Sequence, residues 1–371
     1  MPTRQFFEQP AGNEMKRHAI ALALAGFLLS PAARADVELM GKALQVYGKL
    51  HVSYDLYDRG GSTVDVPDPS DSEVVSNSSR LGFKGEVDLG ATTKALWKFE
   101  SEIDVVGEVG ELKARSRYLG VGGGWGHVLV GIEDTPLKRL AGSYTEFGDT
   151  IADRRGILGQ VSSGAHLFNV RAKNMVTYGY RGKGFAFDLM AANDFEDVTD
   201  PDQSDNQLFG VGLSYKASNW GAGIAWESQS DMGGVDGADA DAIRFGGNYS
   251  FGRFKVGGLY EMLSDDGWGN RVERDAFAIN ASMQIAPDWK IAIQYMEADS
   301  SDAGNDGADE IAIGAYYKIT KAVEVYAMYA ELSNESNASY RLARSGHGQA
   351  YQPTAAGEKV NAFSVGMSLS F

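Results

Sequence analysis

"LQVYGKLHVSYDLY", residues 44–57, has two faces that decide the fold. Leu44, Val46, Gly48, Leu50, Val52, Tyr54 and Leu56 fall on one side, and Gln45, Tyr47, Lys49, His51, Ser53, Asp55 and Tyr57 on the other. Alternation with period two marks a β-strand. It is also long, at about twice the usual globular strand length of roughly 5–6 residues. Such a strand needs an apolar medium along one whole side and a polar one along the other.

The pattern recurs along the chain. In "SSRLGFKGEVDLG" Leu81, Phe83, Val87 and Leu89 alternate with Arg80, Lys84, Glu86 and Asp88, and in "TKALWKFESEID" Ala95, Trp97, Phe99 and Ile103 alternate with Lys94, Lys98, Glu100 and Asp104. Later segments keep bulky residues on one face and smaller ones on the other, as in Phe209/Val211/Leu213/Tyr215 and Trp220/Ala222/Ile224/Trp226. The last is "NAFSVGMSLSF", with Phe363, Val365, Met367, Leu369 and Phe371 opposite Ala362, Ser364, Gly366, Ser368 and Ser370. About sixteen strands are expected on this pattern. Their connections alternate too. Short ones, such as 90–92, 181–183, 286–288 and 320–321, interleave with long polar ones near 58–77, 104–113, 134–169, 194–206, 228–241, 264–274, 298–309 and 333–358.

The N-terminus has a different character. Met15-Lys16-Arg17-His18 is basic, Ala19 to Leu29 is apolar, and Ala33-Arg34-Ala35 is a small-x-small cleavage pattern. Together these predict a secretory signal over residues 1–35, with Met15 as a candidate start and a mature barrel spanning 36–371. No cysteine occurs, so neither disulfides nor a Cys-ligated metal is available. Beyond the signal, no apolar run reaches the roughly 20 residues of a membrane helix. The chain holds 34 bases and 50 acids; without the four bases and two acids of residues 1–35 the balance is 30 against 48, a net charge of −18. Nucleic acid is an unfavourable partner for such a chain.

A soluble β-sandwich does not need strands of this length. An outer-membrane barrel does: strands apolar towards lipid and polar towards the lumen, short periplasmic turns, long outer loops, an even strand number, and aromatics at both interfaces. About sixteen strands leave a water-filled channel, where about eight would be packed solid. The expected fold is therefore an all-β transmembrane antiparallel barrel.

The sequence also resembles the trimeric general porins of Gram-negative outer membranes. The likeness is carried by "VYGK" (46–49), "SRLGFKGE" (79–86), "SRYLGV" (116–121), "TEFGD" (145–149), "VTY" (176–178) and the terminal Phe371. The resemblance implies a homotrimer in a lipid bilayer bearing lipopolysaccharide. It implies passive diffusion of ions and small hydrophilic solutes, with the third long loop folded into the lumen. On the basic side of the constriction it points to Lys49, Arg80, Arg117 and Arg171, and on the loop side to Glu146, Phe147, Gly148 and Asp149. Parity independently turns Lys49 and Arg80 towards the lumen. The family pattern has a second acid four residues before its Glu, where this chain has Gly142. A terminal aromatic such as Phe371 serves that family as an assembly signal.

Other chemistries fit less well. The four histidines beyond the signal, His51, His127, His166 and His347, belong to no Ser/His pattern, and no Gly-x-Ser-x-Gly, His-Glu-x-x-His or Walker loop is present, so no catalytic site is expected. The acid-rich stretches 231–242 and 299–310 lack calcium-loop spacing, so no metal or cofactor is expected. A substrate-selective channel is the alternative function, and a non-conducting adhesin or structural barrel a more distant one.

Overall fold

The computed structural model describes residues 37–38, 40–62, 68–107, 112–160, 168–195, 206–266, 272–302, 304–344 and 346–371. The expected signal over 1–35 lies outside them. The wall strands are β1 (Gln45–Asp58), β2 (Ser70–Ser76 continuing as Arg80–Gly90), β3 (Thr93–Glu102), β4 (Lys113–Gly123), β5 (Gly126–Asp134), β6 (Arg171–Gly182), β7 (Phe185–Asn193) and β8 (Gln207–Lys216). They continue as β9 (Trp220–Ser230), β10 (Ala240–Phe251), β11 (Phe254–Asp265), β12 (Val272–Ala286), β13 (Trp289–Ala298), β14 (Ala308–Lys318), β15 (Val323–Asn334) and β16 (Val360–Ser370). Each pairs antiparallel with the next, and β16 closes on β1 with Ser370 opposite Lys49 and Asn361 opposite Asp58. The short segment Val37–Glu38 adds to the end of β1 without joining the wall. Sixteen antiparallel strands thus form a closed barrel, which leaves no unpaired edge.

The faces fall as the alternation predicts. Leu50, Phe83, Phe99, Phe209, Ile313 and Phe363 are exposed on the outside, while their polar neighbours turn inward. Outward aromatics gather at the short-turn rim, where Phe185 meets Tyr215, Tyr215 meets Trp220, Phe251 meets Phe254 and Trp289 meets Tyr317 at centroid distances of 4.7–5.4 Å. This is an interfacial girdle. Phe371 exchanges backbone hydrogen bonds with Gly48 at 2.9 and 3.1 Å. Its ring lies so close to Gly48 that a β-carbon there would approach Cζ to 2.4 Å, so this glycine is the socket for the terminal ring.

Bulges interrupt simple alternation at several points, and two of them bear on the inner face. Between Ser76 and Arg80 strand β2 advances four residues while its partner advances three, from Val52 to Lys49. The extra residue reverses parity, exposing Val74 on one side of the break and Phe83 on the other. Residues 70–76 had the polar composition of a loop, "SDSEVVS", which hid them within the expected 58–77 connection. In β4, Phe99 pairs with Arg117 but Ser101 pairs with Ala114, so a second bulge lies at 115–116.

Candidate functional site

The third long connection, between β5 and β6, turns inward at once. Thr135 caps helix α1 (Pro136–Tyr144), its hydroxyl accepting from the Lys138 amide at 3.3 Å, and Pro136 begins the helix where a missing N–H costs nothing. Leu137, Leu140, Ala141 and Tyr144 form its buried face. That spacing, with the Thr-Pro start, was a helix signal within what read as a loop.

The wall makes room for this face. A β-carbon at Gly212 would meet Pro136 at 3.0 Å, one at Gly223 would meet Leu140 at 2.6 Å, and one at Gly246 would meet Tyr144 at 2.2 Å. Inward glycines on β8, β9 and β10 thus form a channel in which the helix lies. Beyond it, Glu146 faces β11 and β13: its carboxylate lies 3.4 Å from Lys255 Nζ and 3.1 Å from Lys290 Nζ, and its amide donates to Gln294 Oε1 at 2.9 Å. Phe147, buried and at φ +55°, packs towards Gly314 and Tyr316 of β14. Gly148 is exposed. Asp149, at φ +60°, then reaches β1 and β2, with Oδ2 3.1 Å from Lys49 Nζ and 3.7 Å from Arg80 Nη1. In fourteen residues the loop has followed the inner wall from β8 round to β1.

Beneath it a charged cluster fixes the returning limb. Glu261 of β11 binds Arg244 of β10 at 2.5 Å and Arg274 of β12 at 3.0 Å, all three buried. Arg244 donates to the carbonyls of Leu137 and Phe168, Arg274 to that of Ile157, and Glu261 accepts from the Gly159 amide at 2.8 Å. Both arginines therefore tie the wall to loop backbone as well as to Glu261. Ile151, Ala152, Ile157 and Leu158 fill the space against β11–β16.

The last long connection also folds inward, which its reading as a polar outer loop did not anticipate. Tyr340, Leu342 and Tyr351 are buried, and His347 Nε2 and Tyr351 Oη lie 2.7 and 2.8 Å from Asp55 Oδ2 on β1. Arg344 donates to Gln160 on the third loop. Tyrosines, a leucine and a histidine, where the neighbouring outer loops carry acids and glycines, were the available signal.

The wall residues expected to face the loop divide. Lys49 and Arg80 meet Asp149. Arg171 Nε lies 3.0 Å from Asp134, which also holds Lys138 at 2.9 Å. Arg117 is not brought to this cluster. It lies opposite Phe99, on the outward face, with its guanidinium 4.3 Å from that ring and donating to Ser101 at 2.8 Å. The bulge at 115–116 turns Arg115 inward instead, where it binds Glu100 at 2.7 Å and Glu102 at 3.1 Å. Tyr47 donates to the same Glu100 at 2.8 Å. Lys255 and Lys290 had the right parity but lie more than a hundred residues from Glu146 in sequence.

Burial alone would raise the Asp149 carboxyl, but Lys49, Arg155 and Arg80 outweigh it and hold it well below the usual carboxylate range. Glu146 is likewise lowered, burial being outweighed by Lys290 and Lys255. Both loop acids are therefore charged at neutral pH. A lumen with a loop laid along one arc of its wall, and fixed charge on the loop edge and the opposite arc, is the arrangement of a diffusion pore.

The comparisons agree with that geometry. The Gram-negative porin sequence profile matches residues 19–338. The chain belongs to the Gram-negative porin family. It is 26% identical over 349 residues to outer membrane porin protein 32 of Delftia acidovorans, covering 90% of this chain and 93% of that one. Among solved structures, an anion-selective porin from Comamonas acidovorans superposes with a TM-score of 0.77 at 22% identity, covering 89% of this chain and 99% of that chain. The trimer form of Vibrio cholerae OmpT gives 0.65 at 18% identity, with 89% and 99% covered. This porin is an outer-membrane β-barrel and a general diffusion channel rather than an enzyme.

Proposed function

We propose that solutes cross this porin through an eyelet between the free edge of the third loop, at Gly142, Gly148 and Asp149, and the basic wall of β1–β6. The observation that carries the reading is the course of the loop, which covers the inner arc from β8 to β14 and then meets Lys49 and Arg80 through Asp149. What is left uncovered is lined by Arg80, Lys84, Lys98 and Arg115, with Glu86, Glu100 and Glu102 between them. Opposed charges across such a gap orient water transversely, so small polar solutes pass and apolar ones must displace ordered water. The surplus of bases favours anions, as in the Comamonas porin described as anion-selective. Purified protein in a planar bilayer should give stepwise, ohmic conductance. Deleting residues 141–149 should raise the single-channel value and admit bulkier solutes; a folded deletion variant with unchanged conductance would place the loop outside the path.

The working unit in this proposal is a homotrimer in a lipopolysaccharide-bearing membrane. An arginine facing lipid near the midplane costs about 2–4 kcal/mol, so the outward Arg117 favours a protein neighbour. The export signal over 1–35 and Phe371 as an assembly signal belong to the same proposal.

A further inference from the structure

The third loop carries four bases, and three of them are spent on acids. Lys138 binds Asp134, Arg139 binds Asp188 at 3.2 Å, and Arg155 binds Asp153 and Asp149. Arg154 is different. Among the described residues its guanidinium enters no hydrogen bond or ion pair, its Nε is buried without a partner, and the residue is only 8% exposed. The neighbouring carboxylates are fully engaged. Asp153 gives both oxygens to Arg155, whereas Asp149 gives Oδ1 to Arg155 and Oδ2 to Lys49 and Arg80. Burial lowers Arg154 to about 10, which still leaves it cationic at neutral pH.

The free guanidinium sits under a window. A β-carbon at Gly142 would lie 3.5 Å from Nη2 and 3.9 Å from Nη1, and one at Gly148 would lie 4.0 Å from Nη1; both glycines are exposed on the loop edge. Any side chain at 142 would begin on top of the guanidinium. An acid there would neutralise it, but here the position is glycine.

We propose that Arg154 is an oxoanion contact of the eyelet, reached through the Gly142–Gly148 window, for solutes that present a phosphate or carboxylate group. Such groups fit the planar guanidinium fork, and a partly desolvated, unpaired guanidinium gains more from them than a solvated lysine does. Lys49 and Arg80, which share Asp149 Oδ2, add positive potential on the facing wall and bring anions to the window. The inference rests on the third loop forming the eyelet.

The test is phosphate inhibition of chloride current through the full-length protein in planar bilayers, with inorganic phosphate titrated into symmetric KCl. Wild type should show saturable inhibition. Arg154→Gln should weaken it about tenfold or more, as expected for a lost charge-assisted hydrogen bond. Because Arg154→Gln could disturb loop packing, Gly142→Asp provides the second arm: its β-carbon meets only ordinary contacts and its carboxylate would reach the guanidinium. It should abolish inhibition, while Gly142→Asn, equal in size but neutral, should retain it. Acetate in place of phosphate distinguishes a shared carboxylate site from a phosphate-specific one, either being a form of the proposal. No inhibition in wild type, equal inhibition in wild type and Arg154→Gln, or identical behaviour of the Asp and Asn variants would overturn it. The 141–149 deletion separates the two readings: if it enlarges conductance while Arg154→Gln leaves inhibition unchanged, the eyelet stands and the anion contact falls.

Discussion

At the scale of single residues, Asp149 joins the loop to the far wall and Phe83 joins the wall to lipid. Asp149 satisfies Lys49, Arg80 and Arg155 at once, and Asp149→Asn leaves three bases facing a neutral amide. That variant should shift the reversal potential towards anions and add open-channel noise as the loop tip loosens. The pH dependence has a definite sign. A carboxylate lowered in the folded state contributes stability fully above its ordinary value and loses it as pH falls through the lowered one. Conductance should therefore hold steady from pH 7 down to about 4, the ordinary aspartate range, and change only below it. Asp149→Asn should show the low-pH behaviour already at pH 7, and a wild-type transition centred near 4 or above would contradict the ion-pair geometry. Phe83 is exposed on the outer face, so Phe83→Arg should cost about 2–4 kcal/mol in denaturant unfolding from lipid vesicles. Lys84→Met, on the opposite face, should alter conductance with little change in stability.

At the scale of elements, helix α1 is held by what the wall lacks. Gly246 has no room for a β-carbon beside Tyr144, and overpacking of this kind costs about 1–3 kcal/mol. Gly246→Val should push α1 towards the lumen, lowering single-channel conductance while the barrel still migrates as folded on a cold gel; unchanged conductance would show that the helix does not rest there. Strands were legible in the sequence because their physics is local: alternate residues meet lipid or water, and Phe209/Val211/Leu213/Tyr215 records that directly. Even Gly210 and Gly212 were visible as small inward residues. What they made room for was not, because the partner, Pro136, comes from another connection far along the chain. Bulges hid the rest. One inserted residue at 115–116 moves Arg117 outward and Arg115 inward, and no composition rule marks where a strand takes an extra residue. The inward course of the final loop depends on Asp55 meeting His347 and Tyr351 almost three hundred residues later, a pairing visible only once the barrel closes.

At the scale of the whole molecule, charge is distributed so that the ends and the middle oppose one another. Net charge is −16 over the full chain, and much of the acid lies in outer connections such as 231–241 and 299–309. At the third loop the balance reverses locally: Asp149 faces Lys49, Arg80 and Arg155, Asp134 faces Lys138 and Arg171, and Glu146 faces Lys255 and Lys290, so each of these acids meets at least two bases. Which population sets selectivity depends on reach. The Debye length is about 3 Å at 1 M salt and about 30 Å at 10 mM, so outer-loop acids act on ions in the eyelet only when salt is dilute, whereas the inner bases act at contact distance in both. Reversal potentials in KCl gradients should therefore show anion preference near 1 M, declining or reversing towards cations near 10 mM. Lys255→Met with Lys290→Met should weaken the high-salt preference and leave the direction of the salt dependence intact. Strong cation selectivity at both concentrations would mean that Glu86, Glu100 and Glu102 on the open arc outweigh the paired bases. Arg115→Ala, which frees Glu100 and Glu102 from their shared partner, should then strengthen that cation selectivity further.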